Sequence, residues 1–128
     1  MDASPAALPP RPRVVVVGPC GSGKTTLVEG LRRLGVAATA CGQEHSEIAT
    51  LWRHSDPDVV VALEVDLPTL RRRRGDEWPE WLYQTQRRRL RDATAAADLR
   101  LDTSNLDQEA VLRRVAALLA PNDPPPCS

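Results

Sequence analysis

The chain has 128 residues, enough for one domain with its own core and too few for two. Hydrophobic residues make up 41% and charged residues 27%, with zero formal net charge and a pI near 6.7, so composition gives no general electrostatic case for nucleic acid or anionic membrane. No apolar run approaches a transmembrane span and no charged-then-apolar leader opens the chain, which predicts a cytoplasmic protein without a membrane partner.

Residues 1–13 hold four prolines and little apolar periodicity, and 121–128 are similar, so both ends are expected to be disordered tails around a folded part at 14–120. Val14–Val17 is a continuous β-branched run, the pattern of a strand buried on both faces of a parallel sheet. Leu27, Val28, Leu31 and Leu34 fall at helical spacing over Thr25–Leu34, and Gly35 suits the helix end. Val36–Cys41 reads as a second strand. Ser46 is a candidate cap for a short helix with Ile48, Leu51 and Trp52 on one face, stopped by Asp56-Pro57-Asp58. Val59–Val65 is the second strongly buried strand. A helix should run from Leu67 into Arg71–Arg74. After Gly75, a long helix with Pro79 in its first turn should reach Ala97. Leu99–Leu101 reads as a strand. Asp107 should then cap a last helix with Val111, Leu112, Val115, Leu118 and Leu119 facing the core and Leu106 stapled to Val111. Strands alternating with helices predict an α/β domain with a mostly parallel sheet. The three cysteines, Cys20, Cys41 and Cys127, have no metal-type spacing and read as reduced thiols.

The chemistry concentrates in one loop. Gly18-Pro19-Cys20-Gly21-Ser22-Gly23-Lys24-Thr25 fits G-x-x-x-x-G-K-[ST], with a strand before it and a helix after it. Such a loop turns backbone N–H groups toward phosphates, and the helix that follows directs its positive end at the same anion. Lys24 is the sole lysine among 17 basic residues, at the position where a compact ammonium reaches phosphate oxygens that a planar guanidinium cannot. Lys24 is expected at the β- and γ-phosphates, Thr25 in a Mg²⁺ shell and Thr26 near the α-phosphate.

On these residues the chain is identified as a member of the P-loop NTPase superfamily, and the finer pattern G-x-x-G-x-G-K-T-T resembles the small nucleoside, nucleotide and metabolite kinases. VVVALEVDLPTLRRR looks like their buried strand ending in an acid, followed by a helix into an arginine-bearing lid. RRRLRDATAAADLRLDTSNLDQEAV resembles their last third. The resemblance covers about residues 14–120. It implies a three-layer P-loop fold with a four- to five-strand sheet, ATP or another nucleoside triphosphate with Mg²⁺, and γ-phosphoryl transfer to a small acceptor.

The departures are specific. Between the second strand and VVVALEV there is room only for ACGQEHSEIATLWRHSDPD, too little for a full substrate lobe, which implies a small phosphoacceptor or none. Thr39-Ala-Cys-Gly42-Gln43-Glu44 echoes the D-x-x-G-Q-E switch of GTPases with Thr39 in place of the aspartate, and the guanine-reading N-K-x-D motif is absent. If that strand pairs with Val14–Val17, Gln43, Glu44 and His45 face the γ-phosphate: Gln43 to position a nucleophile, Glu44 as general base or Mg²⁺-orienting acid. The competing reading is a polar loop in which Glu44 and His45 serve turn and cap chemistry. Asp66 or Glu64, of which at most one can point to the site, is the Walker B candidate. Arg71–Arg74, with Arg74 the foremost candidate, form the lid, joined by one or two of Arg87, Arg88, Arg89 and Arg91. The tryptophans read as core and lid anchors. The alternative function is a regulatory module that binds nucleotide and hydrolyses it slowly or not at all. An RNA-binding reading is weaker, because Asp76, Glu77, Glu80 and Asp92 cancel much of the arginine field.

Overall fold

A run of valines satisfies its backbone only if strands lie on both sides and its side chains only if both faces are covered. In the computed structural model, which describes residues 11–119, both conditions hold for β1 (Arg13–Val17). The strand starts at Arg13, inside the segment expected to be a tail. Arg13 N–H donates to the Asp58 carboxylate at 2.8 Å and its guanidinium to Asp56 at 2.8 Å. The remaining tail expectations, 1–10 and 121–128, lie outside the described residues, as does Cys127.

The other elements follow in order: α1 (Lys24–Arg33), β2 (Ala37–Ala40), 3-10 turns at Gln43–His45 and Leu51–Ser55, and β3 (Val59–Glu64). After these come α2 (Leu67–Arg74), α3 (Glu80–Arg89), α4 (Arg91–Ala96), β4 (Leu99–Asp102) and α5 (Gln108–Leu119). Four parallel strands pair in the order β2-β1-β3-β4, with Val14 opposite both Ala38 and Val59, and Val61 opposite Leu99. On one face Val14, Val16, Val61 and Leu63 pack with Leu27, Leu31, Val111 and Val115 of α1 and α5. On the other, Val15, Val17 and Val60 pack with Trp52, Leu90 and Ala93. No helix among the described residues is long and apolar enough to cross a membrane.

Several expected elements are adjusted. Leu34 lies past the end of α1 and is exposed, because Gly35 (φ +86°) turns the chain away, with Gly35 N–H on Arg32 O and Val36 N–H on Leu31 O. The helix expected after Ser46 is replaced by the two 3-10 turns. Ser46 Oγ accepts the Ile48 N–H locally at 3.0 Å, and the Trp52 N–H goes to the buried Gln43 side chain, so neither joins a helical ladder; Ile48 is exposed while Trp52 is buried. The long helix to Ala97 is divided at Leu90, whose N–H is shared between the carbonyls of Gln86 and Arg87; beyond it Leu90 and Ala93 turn onto the sheet. Trp78 packs beside Val65, Leu70 and Tyr83, but Trp81 is 68% exposed and anchors nothing. Leu118 is exposed on the outer side of α5.

From β1 the chain crosses to β2 over the α1 face, whereas from β2 to β3 and from β3 to β4 it crosses over the opposite face. Moves in opposite directions over opposite faces give all three crossovers the same hand, as parallel sheets require. The direction reverses between β1 and β3, so the C-terminal ends of these two strands border the crevice where α/β sheets bind ligands.

Candidate functional site

The loop from β1 into α1 lies at that crevice and is shaped from three sides. Leu70 and Arg74 of α2 press against Gly21. A Cβ there would collide with Leu70 Cδ1, and its φ of +80° is itself unfavourable for a side chain. Arg73 donates to Gly21 O at 2.7 Å and to Thr103 O at 2.7 Å, tying this loop to the one after β4. From α3, Gln86 (2% exposed) accepts the Cys20 N–H at 3.0 Å and donates to Cys20 Sγ at 3.4 Å.

Gly23, the N-cap of α1, stands at φ +96° with open space where a Cβ would lie, and it has no side chain to cap the helix. The first turn of α1 contains no acidic residue. Among the described residues, the backbone N–H groups of Gly21, Gly23, Lys24, Thr25 and Thr26 meet no backbone acceptor. Two other helices are finished differently. Asp66 caps α2 through the Thr69 N–H at 2.8 Å, and Asp107 caps α5 through the Ala110 N–H at 2.7 Å. A helix start with bare N–H groups and a positive dipole end favours negative charge beside it.

Lys24 adds a full charge. Its Nζ donates to Gly18 O at 2.6 Å and to Glu44 Oε2 at 2.7 Å. Glu44 is 3% exposed; Oε2 also lies 3.4 Å from His45 Nε2, and Oε1 meets no partner among the described residues. A buried ion pair adds little net stability, and leaving a buried oxygen unpaired costs about 1–3 kcal/mol. The arrangement instead stores a carboxylate and an ammonium beside the uncapped helix.

Glu44 is held there by its neighbours. Arg89 donates to Glu44 O at 3.2 Å, and Glu47 is gripped by Arg88 at 3.1 and 3.3 Å and by Arg89 at 2.7 Å. The hydrogen bonds from Arg88, then from Arg89, pull the Glu47 carboxyl down to about 2. The bond to Glu47 in turn raises the Arg88 guanidinium.

Two cavities flank the loop. One of about 530 Å³ is lined by Gly21, Gly23, Thr26, Arg74, Thr103 and Gln108. Another of about 610 Å³, which Pro19 also borders, is lined by Glu64, Asp66, Arg87, Arg91 and Arg100.

The structure therefore brings together Lys24, Glu44 and the loop from Gly18 to Thr26, with Arg74 in the adjoining cavity and Thr25 exposed. Gln43 is corrected. Its side chain donates to Ile48 O at 2.7 Å and Arg89 O at 3.3 Å and accepts from Trp52 N–H at 3.0 Å, so both donors are used inside the fold and the fully buried amide does not reach a nucleophile. Asp66 is used as a helix cap, no ion pair or hydrogen bond links it to Lys24 or Glu44 among the described residues, and hydrogen bonding by Thr69 lowers its pKa. The sequence reading overlooked Gln86 and Glu47, and it held Arg73 only as one of the lid arginines, not as the tie between Gly21 O and Thr103 O. For Gln86 a signal existed: Tyr83, Gln86 and Leu90 share the buried phase of one helix, and a polar residue at such a phase must hydrogen-bond to something. No protein-family model matches the chain, and no curated protein matches it.

Proposed function

We propose that the chain binds a nucleoside triphosphate, ATP in the first instance, across the β1–α1 loop and transfers its γ-phosphoryl group to a small acceptor. The observation that carries this reading is the uncapped start of α1, on which Lys24 and the buried Glu44 converge. Residues 18–26 would hold the polyphosphate through backbone N–H groups, and Lys24 would exchange Glu44 for phosphate oxygens. Arg74, in the 530 Å³ cavity, would meet the charge on the polyphosphate.

The donor set also fits Mg²⁺, a hard cation that takes oxygen ligands. The Thr25 hydroxyl and the unpartnered Glu44 Oε1 are the oxygens available, and the ion would offset charge on the phosphates. Once Lys24 has moved to phosphate, the Glu44 carboxylate is free to accept the proton that an acceptor hydroxyl loses. The 610 Å³ cavity has ample volume for a small acceptor.

One observation favours a second reading, a nucleotide-responsive regulatory module. The partner of Lys24 sits in a turn tied to α3 through Glu47 and Arg89, so breaking the Lys24–Glu44 pair loosens a segment beyond the site. Incubation with γ-labelled ATP, Mg²⁺ and a mixture of small metabolites separates the two. Label moving onto a metabolite supports transfer, and release of inorganic phosphate alone supports the module. Lys24→Ala should abolish the ATP-dependent rise in melting temperature. A folded wild-type protein with no such rise, indistinguishable from Lys24→Ala, removes both readings.

A further inference from the structure

One cluster beside the loop does not suit Mg²⁺ chemistry. Cys20 Sγ, His45 Nε2 and a carboxylate oxygen of Glu44 all lie within 4.8 Å of one another. The measured separations are 3.4 Å from His45 Nε2 to Glu44 Oε2 and 3.9 Å from Cys20 Sγ to His45 Nε2. Ligands at ordinary Zn–S, Zn–N and Zn–O distances around a tetrahedral ion stand about 3.3–3.6 Å apart, so the two pairs that include His45 already stand within a few tenths of an ångström of that spacing, and the Cys20–Glu44 pair, within 4.8 Å, needs a closure of at most about 1.2 Å. The geometry points to a binding site for one borderline-soft divalent cation, of the Zn²⁺ type, formed by Cys20, Glu44 and His45.

Three further features support it. A buried amide, Gln86, fixes the orientation of Cys20 by bonding both its N–H and its Sγ; a donor to the sulfur is the outer-shell support that a thiolate ligand uses. Glu44 is buried and already holds Oε2 beside His45 Nε2, so its carboxylate is kept at the cluster by the fold. His45 is exposed, giving an ion a path in. Three protein ligands leave the fourth position to water.

Binding releases one proton to solvent as the Cys20 thiol becomes a metal-bound thiolate, and no electron is transferred. Because Lys24 Nζ occupies Glu44 Oε2 at 2.7 Å, the ammonium competes with the cation for that oxygen. The site shares Glu44 with the proposed nucleotide site, but its existence does not depend on nucleotide binding.

The test is a Co²⁺ titration of the nucleotide-free full chain carrying Cys127→Ser, which removes the one thiol outside the described residues. The expected result is a thiolate-to-cobalt absorption band saturating at one Co²⁺ per chain and displaced by Zn²⁺. It should vanish in Cys20→Ser, weaken at least tenfold in affinity in His45→Ala, and persist in Cys41→Ser. Lys24→Met, which should abolish the response to ATP, should bind Co²⁺ more tightly, so failure of the nucleotide reading and failure of the metal site give different results. A rise in melting temperature with Zn²⁺ that is lost in Cys20→Ser provides a check independent of colour. Absence of the band, or a band undiminished in Cys20→Ser or of unchanged affinity in His45→Ala, overturns the proposal.

Discussion

Gln43 and Glu44 are adjacent and both buried, yet they have opposite roles. The Gln43 amide makes three hydrogen bonds inside the fold, whereas Glu44 gives Oε2 to Lys24 and has no partner for Oε1 among the described residues. Gln43→Ala removes three hydrogen bonds and leaves the Trp52 N–H unpaired in the interior, so chemical denaturation should show a loss of about 3 kcal/mol. A change under 1 kcal/mol would mean that the brace is dispensable. Glu47 carries the pH dependence of the same turn. Its folded pKa of about 2 lies below the ordinary 4.5 of a free glutamate, so its contribution is complete above about 4.5 and is lost as pH falls toward 2. Comparing denaturation midpoints at the two ends of that window should show a steeper acid loss in wild type than in Glu47→Gln, and equal slopes would dissociate Glu47 from acid stability. None of these partnerships was legible in the sequence. Gln-Glu-His in a loop announces polarity, but which of the three is spent on the fold depends on residues such as Arg89 and Trp52, 46 and 9 positions from Gln43.

At the scale of elements, α1 differs from α2 and α5 in how its first turn is completed. α2 and α5 complete their first turns with Asp66 and Asp107; α1 begins with a glycine and leaves its N–H groups bare. Asp107→Ala should lower stability by about 1 kcal/mol in equilibrium unfolding, the usual cost of losing an N-cap aspartate, and Asp66→Ala should act in the same direction. Asp66→Asn retains a capping oxygen and should remain close to wild type. If Asp66→Asn instead abolished phosphoryl transfer while preserving stability, Asp66 would be a catalytic acid rather than a cap. The strands, α1 and α5 were legible because their signal is local: continuous valines, apolar residues three and four apart, and Asp107 ahead of an apolar run. The 3-10 turns and the break at Leu90 were not, since both arise where a tertiary bond captures a backbone or side-chain group that a regular helix would have used. The metal candidate was hidden for a similar reason. Cys20 and His45 lie 25 residues apart, and only the pairing of β1 with β2 brings their loops together.

For the whole molecule, the topology separates the apolar layers from the candidate site. The two apolar layers lie on the faces of the sheet, while Lys24, Glu44 and both flanking cavities gather beyond the C-terminal ends of β1 and β3. A fault deep in a layer should therefore weaken the fold without altering the ligand contacts. Leu31 is fully buried between α1 and the sheet, on a helix turn away from the bare N–H groups. Leu31→Ala should cost about 3 kcal/mol, within the range for removing a buried leucine side chain. A ligand that binds only the folded state adds about 2.7 kcal/mol when present at a hundred times its dissociation constant. For a domain of this size that corresponds to a melting-temperature rise of roughly 10 °C. If ATP binds at the edge, Leu31→Ala should melt well below wild type yet show nearly the same rise at the same multiple of its dissociation constant, because the two effects act on separate regions and add. A rise that collapsed together with the stability would place the ligand's contacts in the apolar layer and count against a site at the sheet edge.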